Sequence, residues 1–339
     1  MTMMQSRRGL YTTKFSRRLR QFLVQPDSSA RRRIRLFSCT LLLFIILLSV
    51  YRIGLKRTKT DLDLLSSSSS SSRNGYTVVI NTWKRYHLLK RTVAHYASCR
   101  RVDAIHVVWS EKEFPSDSLT ADIIKLVNSN YFQASQKPPK FVFDINMKDN
   151  LNNRFKPIKN LTNDAIFSID DDIIIPCHTL EFGFRVWQSA PDAMVGFVPR
   201  THWLIKDQKN GVEYYNYGGW WSVWWSGTYS MVLSKAAFFH KKYLDLYTNK
   251  MHFSIREYVS RERNCEDIAM SLLVSNATGA SPIWVKGKIH EIGSSGISSL
   301  NGHNKRRIKC LNRFLSFYDT IPLISTNFKA VDSLGEWFW

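Results

Sequence analysis

Three consecutive carboxylates, Asp170-Asp171-Asp172, stand between two apolar runs, Ala165–Ile169 (AIFSI) and Ile173-Ile174-Ile175-Pro176. Acids so placed are costly to bury without partners and cannot all ionise at close range without a compensating cation. They belong at the end of a strand, where the chain leaves a core. Similar runs precede them at Tyr76–Asn81 (YTVVIN), Ala104–Trp109 (AIHVVW) and Phe141–Asp144. Helix-length segments intervene, from about Tyr86 to Ser98 and from a cap at Asp117 or Ser118 through Ile123, Ile124 and Val127. This alternation predicts an α/β fold, a mostly parallel sheet flanked by helices. Ligands of such sheets bind beyond the carboxyl ends of the strands. There the acids favour Mg²⁺ or Mn²⁺, which takes one or two carboxylates and fills its shell with water and phosphate oxygens. A solvated turn, or pairing with Lys or Arg, is the alternative. Arg85 follows the first strand and Asn152-Asn153-Arg154 the third, placing forked donors where phosphate oxygens would lie. Walker-type and dinucleotide glycine fingerprints are absent, and there is no internal repeat.

The 339 residues carry 48 Lys and Arg against 27 Asp and Glu, a formal net charge of +21. The excess is localised: residues 1–60 hold 14 basic residues and one acid, Asp27, leaving +8 for residues 61–339. Nucleic-acid binding therefore ranks last among the partners that such a charge suggests. Between Arg35 and Arg52 lie sixteen uncharged, mostly Leu and Ile residues. They span about 24 Å as a helix, a little short of a hydrocarbon core of roughly 30 Å. Ten basic residues precede this run and four follow closely, which predicts a cytosolic N-terminus. The expected organisation is a basic cytosolic tail at 1–35, a transmembrane signal anchor at 36–53, a Ser-rich stem at 54–74 and a lumenal domain at 75–339. A short span suits the early secretory membranes, so a single-pass type II Golgi protein is expected. In a lumenal domain, Asn160-Leu161-Thr162 and Asn276-Ala277-Thr278 are N-glycosylation acceptors. Cys99, Cys177, Cys265 and Cys310 are an even number in a disulfide-permissive compartment, and none of their spacings suggests zinc.

Asn264-Cys265-Glu266-Asp267 opens a stretch, Ile268–Val274, that reads as an amphipathic helix. Acids there complement the helix dipole, or they face a ligand. Lys305-Arg306-Arg307-Ile308-Lys309 is a pyrophosphate clamp or a solvated face. Tyr214–Tyr229, with Tyr217-Gly218-Gly219-Trp220-Trp221 and Trp224-Trp225, is an acceptor wall for sugars or core. His290 and His303 lack partners at metal-binding spacing.

These residues resemble, in order, the conserved blocks of the exostosin-like glycosyltransferases, family 64. The blocks are Asn81–Arg85, Val107–Trp109, Leu151–Phe155, Ile169–Asp172, Gly196–Arg200, Tyr217–Gly219, Tyr229–Leu233 and Asn264–Met270. They cover roughly Tyr76 to Leu323, and the short basic-tailed form is most similar to plant members that mannosylate glycosyl inositol phosphorylceramides. The resemblance implies a GT-A fold, Mn²⁺ (or Mg²⁺), a nucleotide-sugar donor and retention of anomeric configuration. It implies that Arg85 and Arg154 contact the diphosphate region, that Asp170 and Asp171 bind the nucleoside, and that Asp172 ligates the metal. Asp267 matches the catalytic acid, Arg307 the arginine steadying the leaving β-phosphate, and Cys265 and Cys310 a disulfide.

Three positions depart from the animal pattern. Ser110 and Asp149 stand where Asn residues contact the nucleotide, and Glu266 replaces an Asp. The first two fit a nucleotide other than UDP, such as GDP. The expected function is mannosyl transfer from GDP-mannose to a sphingolipid headgroup. The alternatives are a UDP-N-acetylhexosamine-dependent transferase acting on a uronic-acid glycan, a membrane-anchored lectin and a metal-dependent phosphodiesterase.

Overall fold

The computed structural model describes residues 36–51, 75–131, 137–208, 211–293 and 302–333. The expected basic tail and Ser-rich stem lie outside the described residues. The chain divides into two compact units, Met1–Ser69 and Ser70–Trp339. In the first, residues 36–51 form a helix (α1) exposed along nearly its whole length. Among the described residues no helix is long and apolar enough to cross a membrane. The expected transmembrane helix is therefore not supported: the uncharged run stops about 6 Å short of a bilayer core.

The second unit is built on an eight-stranded sheet of β1 (Tyr76–Thr82), β2 (Val102–Trp109), β3 (Lys140–Ile145), β4 (Ala165–Asp170), β6 (Val195–Gly196), β10 (Ala236–His240), β11 (Ile283–Lys286) and β13 (Lys329–Val331). Its order is β13-β11-β6-β10-β4-β1-β2-β3. Strands β1 to β4 pair in parallel, as do β11 with β6 and with β13, while β10 is antiparallel to both β4 and β6. The expected parallel sheet is present, with β10 inserted against its direction. Two small ladders complete the unit: β5 (Ile173–Ile174) with β12 (His290–Glu291), and β7 (Pro199–Lys206) between β8 (Glu213–Gly218) and β9 (Met231–Val232).

The sheet separates two apolar cores, and strand alternation decides which residue enters which. From β1, Tyr76, Val78 and Ile80 join one core and Val79 the other. Burial on both faces explains why these strands read as unbroken apolar runs. Helices α2 (Tyr86–Ala97), α3 (Asp117–Asn130) and α4 (Cys177–Ser189) contribute to the first core through residues such as Leu89, Val93, Ile123 and Phe184. Ser116 caps α3, one residue before the expected position, its hydroxyl accepting from Leu119 N at 3.2 Å. The second core receives α6 (Lys242–Asn249), α7 (Phe253–Glu262), α8 (Glu266–Thr278) and α9 (His303–Leu315). Helix α8 is not the amphipathic helix expected: Asp267 through Ser275 are all buried, so it runs through the core. Disulfides Cys99–Cys177 and Cys265–Cys310 tie α2 to α4 and α8 to α9.

Candidate active site

The carboxyl ends of β1, β2 and β4 converge with the first turn of α8. At the end of β4 the three acids part company, because consecutive residues leaving a strand point in different directions. Asp171 turns fully inward. Its carboxylate accepts from Thr82 Oγ1 at 2.6 Å and pairs with Arg85, and its carbonyl accepts from Thr92 Oγ1 at 2.6 Å. Arg85 spans to the next acid, Nη1 donating to Asp172 Oδ2 at 2.7 Å. Asp170 pairs with Arg154. The charge of the triplet is thus offset by two guanidinium groups, the pairing alternative left open by the sequence.

Burial raises the Asp171 carboxyl to about 6, against the lowering pull of Thr82 and Arg85. The Arg154 guanidinium is 2% exposed and lies between Asp170 and Glu266, 3.8 Å from Glu266 Oε1. Burial lowers its pKa, opposed by Glu266 and Asp267. Asp170 and Asp172 stay partly open to solvent. The carbonyl of Asp172 accepts from Ile292 N at 2.7 Å, and a Cβ added at Gly293 would lie 2.8 Å from Asp172 Cβ.

Among the described residues the three Asp side chains do not gather ligand atoms as a cage would. Asp170 and Asp172 suit a hard cation alike, each part-exposed and engaging one arginine through a single oxygen, and Asp172 is the one that the resemblance marks as the metal ligand. A Mn²⁺ or Mg²⁺ there would draw its other ligands from water and substrate phosphate, as such ions commonly do. The donor set fits that use.

Opposite the triplet, the chain takes left-handed backbone at Arg263 (φ 49°) and Cys265 (φ 73°) before entering α8. Such conformations are costly for non-glycine residues and collect at functional sites. They set Asp267 against Arg307 of α9 in a two-pronged ion pair, with Nη2 donating to Oδ2 at 2.6 Å. Burial pushes the Asp267 carboxyl up, but Arg307 outweighs it and leaves the pKa lowered. Burial, then the neighbouring Asp267, raises Glu266. The two acids are therefore driven apart, Asp267 toward the ionised form and Glu266 toward the neutral one. Of the basic run 305–309, Arg307 alone is buried, which resolves that stretch into one site residue and a mainly outward face. The Arg307 guanidinium lies 5.4 Å from the ring of buried Tyr217.

Ser110 accepts from Asn153 Nδ2 at 3.0 Å, and Asp149 pairs with Arg263. The structure thus gathers Arg85, Arg154, Asp170, Asp171, Asp172, Glu266, Asp267 and Arg307 into two adjoining charge networks, with Ser110 and Asp149 on the β2–β3 side. Asn160 and Asn276 lie away from these networks in sequence and are exposed. Sequence reasoning missed Glu111, which accepts from Lys84 N at 2.9 Å and Tyr86 Oη at 2.7 Å and so braces the turn carrying Arg85. It also missed Gly293. The position of Glu111 just after β2 was the available signal for the first; nothing local marked the second.

Residues 76–335 match the Glycosyl transferase family 64 domain. Glycosylinositol phosphorylceramide mannosyl transferase 1 from Arabidopsis thaliana is 61% identical over 270 residues, covering 80% of each chain. Human exostosin-2 is 35% identical over 257 residues, 74% of this chain but 33% of that longer protein. Among solved structures, the mannosyltransferase PcManGT from Pyrobaculum calidifontis, in complex with GDP-Man and Mn2+, shares 11% identity at a TM-score of 0.39, covering 70% of this chain and 64% of that one. The family match over most of the chain and the two-network site at the strand ends lead to one conclusion: this chain is a glycosyltransferase belonging to family 64.

Proposed function

We propose that the protein transfers mannose from GDP-mannose to the glycan headgroup of a glycosyl inositol phosphorylceramide, with retention of anomeric configuration and on a GT-A scaffold. The observation that carries this reading is the 61% identity, over 80% of both chains, to a relative bearing that activity in its name. A Golgi lumenal setting belongs to the proposal and rests on the two disulfides in the second unit.

In this reading Asp172 would hold Mn²⁺ or Mg²⁺ beside the nucleotide-sugar donor. When bound, such an ion acts as a Lewis acid toward the phosphoryl oxygens. The remaining work falls to the chain. Arg85 fixes Asp171 and Asp172 relative to one another, and Arg154 holds Asp170 beside Glu266. Arg307 meets the β-phosphate, a preorganised donor aimed at charge that grows as the bond to the anomeric carbon breaks. The diphosphate competes with Asp267 for Arg307, which releases the Asp267 carboxylate to face the donor sugar. Glu266 stays against Arg154, beside Asp267. The acceptor hydroxyl then attacks from the face the nucleotide leaves, its proton passing to the departing β-phosphate oxygen.

The test uses the full chain in detergent with Mn²⁺ and a panel of nucleotide sugars, following nucleotide release and transfer to lipid extracts. GDP-mannose should be turned over preferentially, with loss on EDTA. Asp267→Asn should lower kcat by about a hundredfold or more with nucleotide affinity kept or raised, since Arg307 then has a weaker competitor, while Asp172→Ala should lose metal-dependent nucleotide binding. Preference for a UDP-sugar would replace the donor assignment, and equal loss of both properties in both variants would break the division of roles.

A further inference from the structure

The mechanism proposed above does not use the aromatic run after Tyr217. No Asp, Glu, Lys or Arg occurs between Glu213 and Lys235. Helix α5 (Trp220–Ser226) buries Val223, while Trp221, Trp224 and Trp225 are 77%, 64% and 85% exposed. The choice between core and sugar platform is thus narrowed, since these rings are not core. Nor do they form one flat face: Trp221 and Trp224 meet at 85° and Trp224 and Trp225 at 47°. Three indoles splayed in different planes make a wedge rather than a surface on which a pyranose lies.

The wedge continues into a patch with a charged edge. Trp220 sets its edge against Trp284 of β11, with centroids 5.6 Å apart. Across the ladder Trp284 pairs with Lys329, whose Nζ lies 5.5 Å from the indole. Lys286 is two residues along the same strand, on the same face as Trp284, and exposed. Phe328, beside Lys329, is 82% exposed. Indoles rimmed by lysines match the boundary of a bilayer, where aromatic rings sit at headgroup level and cations meet anionic lipid. The charge of residues 75–339, 33 Lys and Arg against 24 Asp and Glu, has the complementary sign.

We propose that this patch docks the catalytic unit on a membrane surface bearing anionic headgroups, with Trp221, Trp224 and Trp225 entering the headgroup–acyl boundary and Lys329 facing lipid phosphates. Helix α5 starts three residues after Tyr217, the ring beside Arg307, so docking holds the site at headgroup level. The benefit to a lipid acceptor rests on the proposed function; the docking itself does not.

All 11 tryptophans lie between residues 83 and 339, so tryptophan emission reports on this unit and not on α1. The full chain, reconstituted in phosphatidylcholine–phosphatidylinositol vesicles with brominated acyl chains, should show quenched emission. The variant Trp221→Ser/Trp224→Ser/Trp225→Ser should lose most of that quenching at an unchanged melting temperature, and Trp225→Ser alone should lose part. Lys329→Glu should reduce quenching in anionic vesicles and not in pure phosphatidylcholine. Unquenched wild-type emission, or equal quenching in wild type and triple variant, overturns the proposal. An emission shift caused by soluble oligosaccharide and not by vesicles, or a dimer dispersed by the triple variant, assigns the patch to another occupant and overturns it equally. None of these readouts depends on the sugar donor.

Discussion

At the scale of single residues, the site is governed by how buried charge is compensated. Arg154 lies between Asp170 and Glu266 with almost no exposure, so Arg154→Leu strands two acids. Breaking a buried ion pair by removing one partner costs about 3–5 kcal/mol. A denaturant midpoint lowered by that amount, alongside lost activity, is expected, and a change below 1 kcal/mol would place the group at the surface energetically. Asp171 gives a pH signature. Its folded pKa, raised to about 6 by burial, lies above its ordinary 3.8, so the folded chain binds the proton more tightly than the unfolded one. Its contribution to stability is fully present below about 3.8 and is lost as pH rises through about 6. Melting temperatures measured without metal or nucleotide should show this decline, and Asp171→Asn should remove it. Arg85, Arg154 and the three consecutive acids were legible because they follow strands, where the alternating pattern says that ligands bind, whereas the roles of Glu266, Asp267 and Arg307 came from the resemblance. Their pairing was not legible: sequence spacing does not say that Asp171 turns inward to Thr82 while its neighbours stay open, or that Arg154 is buried between Asp170 and Glu266.

At the scale of elements, the site depends on segments far apart in sequence held at fixed distances. The Cys265–Cys310 bond joins α8 to α9 within a few residues of Asp267 and Arg307, so the two charged side chains come from elements that cannot slide apart. The β5–β12 ladder brings Ile292 and Gly293 against the loop of Asp172. Because a methyl group at Gly293 would collide with Asp172 Cβ, Gly293→Ala should displace that carboxylate. Mn²⁺-dependent nucleotide affinity should fall about tenfold, a loss of about 1.4 kcal/mol, with the melting temperature nearly unchanged; calorimetric titration with and without the metal checks it. The four strands and two helices that the sequence marked before Asp171 were recovered to within a few residues, as with Val102–Trp109 against the expected Ala104–Trp109, whereas those between Cys177 and Glu262 were not read from it. Helix α8 was misread as amphipathic because periodicity assumes that one face meets water, and here the acids at its start belong to the site while the rest is core.

At the scale of the whole catalytic unit, β10 links two parallel groups of strands by running against both. Phe238 on this strand packs 4.6 Å from Phe167 and 5.1 Å from Tyr76 by ring centroid and is fully buried. Phe238→Ala should cost about 3–5 kcal/mol by lost burial and cavity formation. The unit should still unfold in one transition, and two separated transitions would mean that the groups flanking β10 are independent. The sequence by itself determined the alternation of strand and helix, the parallel sheet and the acids at its strand ends, because these follow from local periodicity and from the cost of burying unpaired carboxylates. Only the tertiary structure decided the antiparallel insertion of β10, the pairing of Asp267 with Arg307 across forty residues, and the outward wedge of tryptophans on α5. Those depend on which distant surfaces meet, and a local pattern of apolar and charged residues is compatible with several such meetings.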